Sequence, residues 1–246
     1  MTNIPSTLSL LHGDAHVLMR DMPSDTFDAV ITDPPYASGG LTTAERVKDP
    51  VAKYQVIHDH AHPKPYPTFC GDCRDQRSHF VWSCDWMREA FRCVKPGGFL
   101  MVFSDWRQLP LTSDAMLVSG WLWRGIVTWD KTEACRPQLG LHRNQAEYVL
   151  VATKGHRRTG SGAEVRVSPA GVYRTYLRPA DKLHLTGKPV DLMEHLMAIL
   201  APHSAILDPF AWSGTTLLAA RNLGHDCTGV EMSDAYYTVA KSRLGL

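Results

Sequence analysis

The chain has 246 residues and a mass of 27.4 kDa, enough for one large domain with an ordinary hydrophobic core. Apolar residues at 44% and charged residues at 21% match globular averages, which excludes a disordered, collagen-like or coiled-coil chain. No apolar run is long enough to span a bilayer, residues 1–14 carry no Lys or Arg for a signal-peptide n-region, and six cysteines are too sparse for a disulfide scaffold. A cytoplasmic protein without a membrane partner is expected.

The elements read in chain order as follows. Leu8–Leu11 forms a strand, Ala15–Met19 a short helix and Phe27–Thr32 a strand that ends at Asp33-Pro34. Phe80, Cys84, Met87, Phe91 and Val94 recur at helical spacing within residues 77–94, and Gly97-Gly98 stops that helix before a strand at Phe99–Phe103. Thr112 or Ser113 caps a helix ending at Gly120, and strands follow at Trp121–Trp129 and Ala146–Thr153. Pro189 opens a helix whose apolar face holds Leu192, Met193, Leu196, Met197 and Leu200. Ala205–Leu207 is a strand, Ser213–Leu223 a helix closed by Gly224, Cys227–Val230 a strand and Ser233–Leu244 the last helix. Strands alternating with helices imply an α/β fold with a doubly wound, mostly parallel sheet. Residues 37–76 and 154–184 are too long and irregular for that pattern and read as functional insertions.

The net charge of +1 hides an uneven distribution. Residues 1–36 carry five acids against Arg20 alone, a balance of −4, whereas residues 153–188 carry eight bases against Glu164 and Asp181, a balance of +6. The basic stretch suits a polyanion, and its bland alternative is a solvated basic face.

Two constellations carry chemistry. Asp33-Pro34-Pro35-Tyr36 stands at the carboxyl end of a strand, where open α/β sheets bind ligands. The prolines make a stiff mount, the carboxylate accepts a hydrogen bond from an amino group, and Tyr36 offers a ring for stacking. This describes a receptor for a flat molecule bearing an NH₂; the plain alternative is a strand-ending turn with a surface Tyr. The second constellation is Asp208-Pro209-Phe210-Ala211-Trp212-Ser213-Gly214-Thr215-Thr216, between a strand and a helix, with Glu231 closing the next strand. A small-residue turn that opens a helix suits an anion, and an acid at the next strand end suits ribose hydroxyls, so the pair fits a nucleoside-bearing cofactor. Neither a P-loop nor a G-x-G-x-x-G fingerprint is present.

With these motifs the sequence resembles the β-class of S-adenosylmethionine-dependent DNA amino-methyltransferases, in that family's circularly permuted order, over nearly the whole chain. Gly13-Asp14 looks like its N-terminal cofactor element and His184-Leu185-Thr186-Gly187-Lys188-Pro189 like the motif before its late helix. The resemblance implies one methyltransferase domain over residues 1–246, Rossmann-like, with a loop at 37–76 beside the active site and a target-recognition region at 131–184. It makes Asp33, Pro34, Pro35 and Tyr36 the target-base site. It assigns Asp14, Lys188, Asp208, Phe210, Ala211, Ser213, Gly214, Thr215 and Glu231 to the cofactor, Asp14 through the adenine and Glu231 through the ribose. DNA contact falls to Arg157, Arg158, Arg166, Arg174, Arg178 and Lys182.

The implied reaction is methyl transfer to N6 of adenine in double-stranded DNA, because Asp at position 33 is more common in adenine enzymes and Ser in N4-cytosine ones. N4-cytosine methylation is the alternative within the class. A DNA-binding relative disabled at the cofactor turn and a protein-glutamine methyltransferase are the alternatives outside it, and a homodimer is compatible with the family. Trp212 departs from the family, which has Gly there; either the indole points outward or it weakens cofactor binding. His58, His60, His62, Cys70 and Cys73 form a single C-x-x-C with neighbouring histidines, too weak for a zinc site without a second pair, so no metal is expected. Trp82, Trp86, Trp121, Trp123 and Trp129 read as core packing, with Trp106 the exception.

Overall fold

The computed structural model describes residues 6–37, 74–135, 137, 139–156, 167–176 and 187–246. In chain order these residues form β1 (Leu8–His12), α1 (Ala15–Asp21), β2 (Phe27–Thr32), α2 (Gln76–Cys93), β3 (Val94–Ser104) and α3 (Leu109–Val118). Then come β4 (Leu122–Asp130), β5 (Ala146–Thr153), β6 (Val172–Arg174), α4 (Val190–Met197), β7 (Ala205–Asp208), α5 (Thr215–Leu223), β8 (Asp226–Glu231) and α6 (Asp234–Leu244).

One sheet holds all eight strands in the order β1-β8-β7-β2-β3-β5-β4-β6. The first five run parallel, β5 is antiparallel to both β3 and β4, and β6 is parallel to β4. Alternation along β3 divides the core. Leu100 and Val102 face a cluster with Met19, Trp86, Met87, Met116 and Trp121 from the side of α1–α3, while Phe99, Met101 and Phe103 face Leu192, Leu196, Leu217 and Leu244 from α4–α6. Helices thus cover both faces, as a buried parallel sheet requires.

Three local readings are corrected. Gly97-Gly98 lies inside β3 and does not follow the helix: α2 ends at Cys93, and a Cβ on Gly98 would sit 2.7 Å from the carbonyl oxygen of Asp28, so only glycine lets β3 approach β2 there. The third helix starts at Leu109, with Pro110 in its first turn, rather than at a Thr112 or Ser113 cap. The basic insertion contributes β6, whose three residues gave no strand pattern of their own.

From β2 the chain passes to β3 on one side of the sheet, and from β7 to β8 on the other, so connections diverge between β7 and β2. A crevice opens outside the carboxyl ends at such a divergence. Four acids stand at or just past the carboxyl ends of the four neighbouring strands: Asp14 after β1, Glu231 ending β8, Asp208 ending β7 and Asp33 after β2.

Candidate active site

A cavity of about 420 Å³ opens at these strand ends. Among the groups lining it are Asp14, His16, Pro35, Arg74, Trp82, Phe210, Trp212, Glu231 and Asp234. Asp14 caps α1, its Oδ1 accepting from the His16 amide at 2.7 Å. Glu231 is braced by main-chain donors, Trp212 N–H to Oε2 at 2.8 Å and Ser233 N–H to Oε1 at 2.7 Å, and its burial raises its pKa. The Phe210 ring meets Trp82 and Trp86, each at 5.4 Å between centroids, giving the cavity an aromatic wall. Volume, wall and paired acids fit a nucleoside.

Asp208 does not line this cavity. Buried at the end of β7, it accepts from Thr32 Oγ1 at 2.6 Å and from the Phe210 amide at 3.1 Å, fixing the turn; burial pushes its pKa up to about 6. Ser213, Gly214 and Thr215 also lie off the cavity. Arg243 donates to the Ser213 carbonyl and to Thr215 Oγ1, and a Cβ on Gly214, whose φ is +76°, would press on Leu244 at 3.0 Å. These residues shape the turn against α6, and Ala211 is buried beneath it.

The indole of Trp212 does not point outward. At φ +48° the residue folds its ring inward, Nε1 donating to the carbonyl of Asp33 at 2.8 Å, with the ring edge-on to Tyr236 at 5.5 Å. Trp212 and Phe210 also line a smaller recess with Asp33, Lys188, Asp208 and Thr216. The two aromatic side chains are therefore the wall between the large cavity and the Asp33 carboxylate.

Behind that wall lies a charged cluster. Asp33 Oδ1 accepts from the Tyr36 hydroxyl at 2.6 Å, and Oδ2 from Lys188 Nζ at 2.6 Å. Lys188 Nζ is also 3.3 Å from Glu147 Oε2, and Lys131 donates to Glu147 Oε1 at 3.1 Å. Burial raises the pKa of Asp33, with Lys188 pulling the other way, and burial beside Asp33 holds the Tyr36 phenol well above its usual range. Burial works against the Lys188 charge, but Asp33 and Glu147 prevail and keep the amine protonated; for Glu147 the two lysines likewise outweigh burial and lower its pKa.

Lys188 thus lies with Asp33 and Tyr36 and not among the residues lining the large cavity, held there by its bond to Asp33. Arg174 lies on β6 with its guanidinium engaged by Asp130 and Glu133, the acids of its own neighbourhood. Lys154, counted in the basic stretch, pairs with Asp25 at 2.7 Å. Arg157, Arg158, Arg166, Arg178, Lys182 and the histidine–cysteine cluster at 58–73 lie outside the described residues. Trp86, Trp121 and Trp129 are core residues as read, whereas Trp82 lines the cavity and Trp123 is 41% exposed. Trp106 is exposed too, with the Arg107 guanidinium 5.1 Å from its ring centre. Glu147 and Lys131 escaped the sequence reading. A signal existed: Glu147 is the lone charge in the apolar strand Ala146–Thr153.

A mostly parallel sheet with helices on both faces and a cavity at its strand ends match the class I methyltransferase fold. The DNA methylase family model matches residues 27–242, and the chain belongs to that family of N6/N4 amino-methyltransferases, which use S-adenosylmethionine. Among its relatives is the type II methyltransferase M2.DpnII of Streptococcus pneumoniae, 24% identical over 260 residues that cover 96% of this chain and 88% of that one. M2.LlaDCHI of Lactococcus lactis subsp. cremoris is 23% identical with the same coverage. The crystal structure of the M1.HpyAVI–SAM complex aligns with a TM-score of 0.68 at 23% identity, over 97% of this chain and 100% of that one. PvuII DNA methyltransferase, a cytosine-N4-specific enzyme, aligns at 0.70 with 16% identity, over 98% of this chain and 87% of that one.

Proposed function

We propose that this protein methylates the N6 amino group of adenine in double-stranded DNA. The observation that carries the reading is the Asp33 carboxyl, buried and held by Lys188 at 2.6 Å, one aromatic wall away from the large cavity. An exocyclic amine is a poor nucleophile because its lone pair is delocalised into the ring. A hydrogen bond from that NH₂ to Asp33 pulls the lone pair out of conjugation and aims it across the wall. Tyr36 supplies a face against which a base flipped from the duplex stacks. In the cavity, Glu231 is suited to the ribose hydroxyls, Asp14 to the adenine and Phe210 to the wall beside them. S-adenosylmethionine supplies the electrophilic methyl; the chain's own work is to hold the amine, align it and exclude water.

The identity of Asp33 favours adenine over cytosine. Nucleoside mass spectrometry of DNA incubated with protein and S-adenosylmethionine tests this: N6-methyladenine is the expected product, and N4-methylcytosine alone would move the assignment to cytosine. Asp33→Ala should lower the methylation rate by ~10²-fold or more while S-adenosylmethionine binding stays nearly intact. Near-normal turnover in that variant would remove Asp33 from the reaction.

A further inference from the structure

The reading of Asp33 as the amine acceptor leaves the groups behind it without an assigned part. Both of its oxygens are engaged: Oδ1 by the Tyr36 hydroxyl and Oδ2 by Lys188. An incoming amine therefore has to join or replace one of these donors. The Tyr36 hydroxyl has an alternative acceptor at hand, since it already lies 3.4 Å from Glu147 Oε2. Lys188 does not have that freedom. Its Nζ is enclosed between Asp33 and Glu147, with the rings of Tyr36 and Phe103 centred 5.4 and 5.3 Å away.

We propose that Lys188 and Glu147 are positioning residues for Asp33: Lys188 pins Oδ2 so that Oδ1 meets the target amine, and Glu147 anchors Lys188 and takes over the Tyr36 hydroxyl when it leaves Oδ1. The proposal rests on the methyl-transfer reading and adds residues that act through Asp33. Charges alternate along the line Asp33, Lys188, Glu147, Lys131, so the cluster is neutral although mostly buried, which is what makes two buried carboxylates tolerable beside each other. Among the described residues the other charged groups facing it are Asp208, which acts on Asp33 from the β7 turn, and Asp105, which acts on Tyr36 from the end of β3; both are acids. Lys188 is the cation in direct contact with Asp33, and its charge is what opposes protonation of that carboxyl.

The test compares Lys188→Met, Glu147→Gln and the wild-type protein across pH. Asp33 accepts the amine only as carboxylate. Removing the Lys188 cation lets Asp33 hold its proton to higher pH, so the acid limb of the methylation profile moves up, and kcat near neutrality falls by about 10²-fold. Removing the Glu147 charge relieves a neighbour that favours the protonated acid, so the limb moves down. KM for S-adenosylmethionine stays at the wild-type value in both. A mere packing defect lowers activity without driving the two limbs apart. Carbon NMR titration of the Asp33 carboxyl in the same proteins reads the same opposed shifts without turnover, so it decides the proposal even if the wild type methylates no DNA amine, an outcome that would fell only the functional reading. If Lys188→Met does not fold, the isosteric Glu147→Gln still has to show its downward shift. Limbs and titrations that coincide with the wild type, or move in one direction together, overturn the proposal.

Discussion

Replacing Trp212 by glycine tests how the inward indole bears on the cofactor. The ring belongs to the wall between the cavity and Asp33, and a methyl group held on the cavity side has to reach an amine held on the other. Moving the ring breaks the Nε1–H bond to the Asp33 carbonyl, about 1 kcal/mol, and the edge-to-face contact with Tyr236, about another 1 kcal/mol. If productive binding displaces the indole, roughly 2 kcal/mol is subtracted from cofactor affinity, and Trp212→Gly should bind S-adenosylmethionine about 30-fold tighter. The main-chain N–H that braces Glu231 survives the substitution. Folding loses the same two contacts but sheds the strain of a non-glycine residue at φ +48°, roughly 1 kcal/mol. The burial of a half-buried indole is lost as well, about 2 kcal/mol, so the net cost is about 3 kcal/mol and the melting temperature should fall by about 6–12 °C. Titration calorimetry with S-adenosylmethionine and a thermal melt, run side by side, read both effects. Unchanged or weaker affinity in a protein that melts within that range would mean the indole is a contact for the cofactor and not an obstacle, and the account of the wall would be wrong.

Two further perturbations reach other parts of the molecule. His79, buried in α2 against Trp82, has its pKa lowered from 6.5 to about 4 by burial and by Arg74, so the unfolded chain binds the extra proton first; its contribution is complete above pH ~6.5 and drains away as pH falls toward ~4, about 3 kcal/mol in all. His79→Phe should flatten that part of the stability curve in urea titrations at about pH 5 and pH 8, and an unchanged slope would show that the imidazole is not the group that titrates. Replacing Arg157 and Arg158 together by alanine should weaken DNA binding and reduce the log–log salt slope by up to about two units, leaving S-adenosylmethionine affinity alone. Wild-type affinity and slope in fluorescence anisotropy would return the basic stretch to a solvated face.

The sheet and most helix spans were legible because hydrophobic period changes from two to 3.6 and back, with Pro and Gly marking the junctions. Misreadings came where one residue type serves two ends. Gly97-Gly98 looked like a helix stop, yet it is there because β2 and β3 run too close at Asp28 for a side chain. The candidate site was legible at its named motifs and silent about what joins them. Nothing in the order of the chain says that Lys188, 155 residues from Asp33, closes onto its carboxylate, since the two meet only through the parallel packing of the sheet. Trp212 stands out in the sequence as a departure, but its direction is set by the left-handed backbone that the turn imposes, which no residue type announces.

The four acids at adjacent strand ends show how a single sheet edge yields unlike functions from one chemical group. Asp14 is exposed and caps a helix, so one of its oxygens is spoken for by the chain and its carboxylate faces the cavity rim. Glu231 has a main-chain donor on each oxygen, which fixes its plane while leaving lone pairs for a diol. Asp208, with hydroxyl and amide donors but no cation in contact among the described residues, is driven up to about 6 and serves the turn. Asp33 is buried too and burial raises its pKa as well, but Lys188 at 2.6 Å opposes that rise and favours the carboxylate that an amine donor needs. On this argument the difference between Asp33 and Asp208, neighbours across β2 and β7, is not written in either residue but in the lysine that only one of them meets.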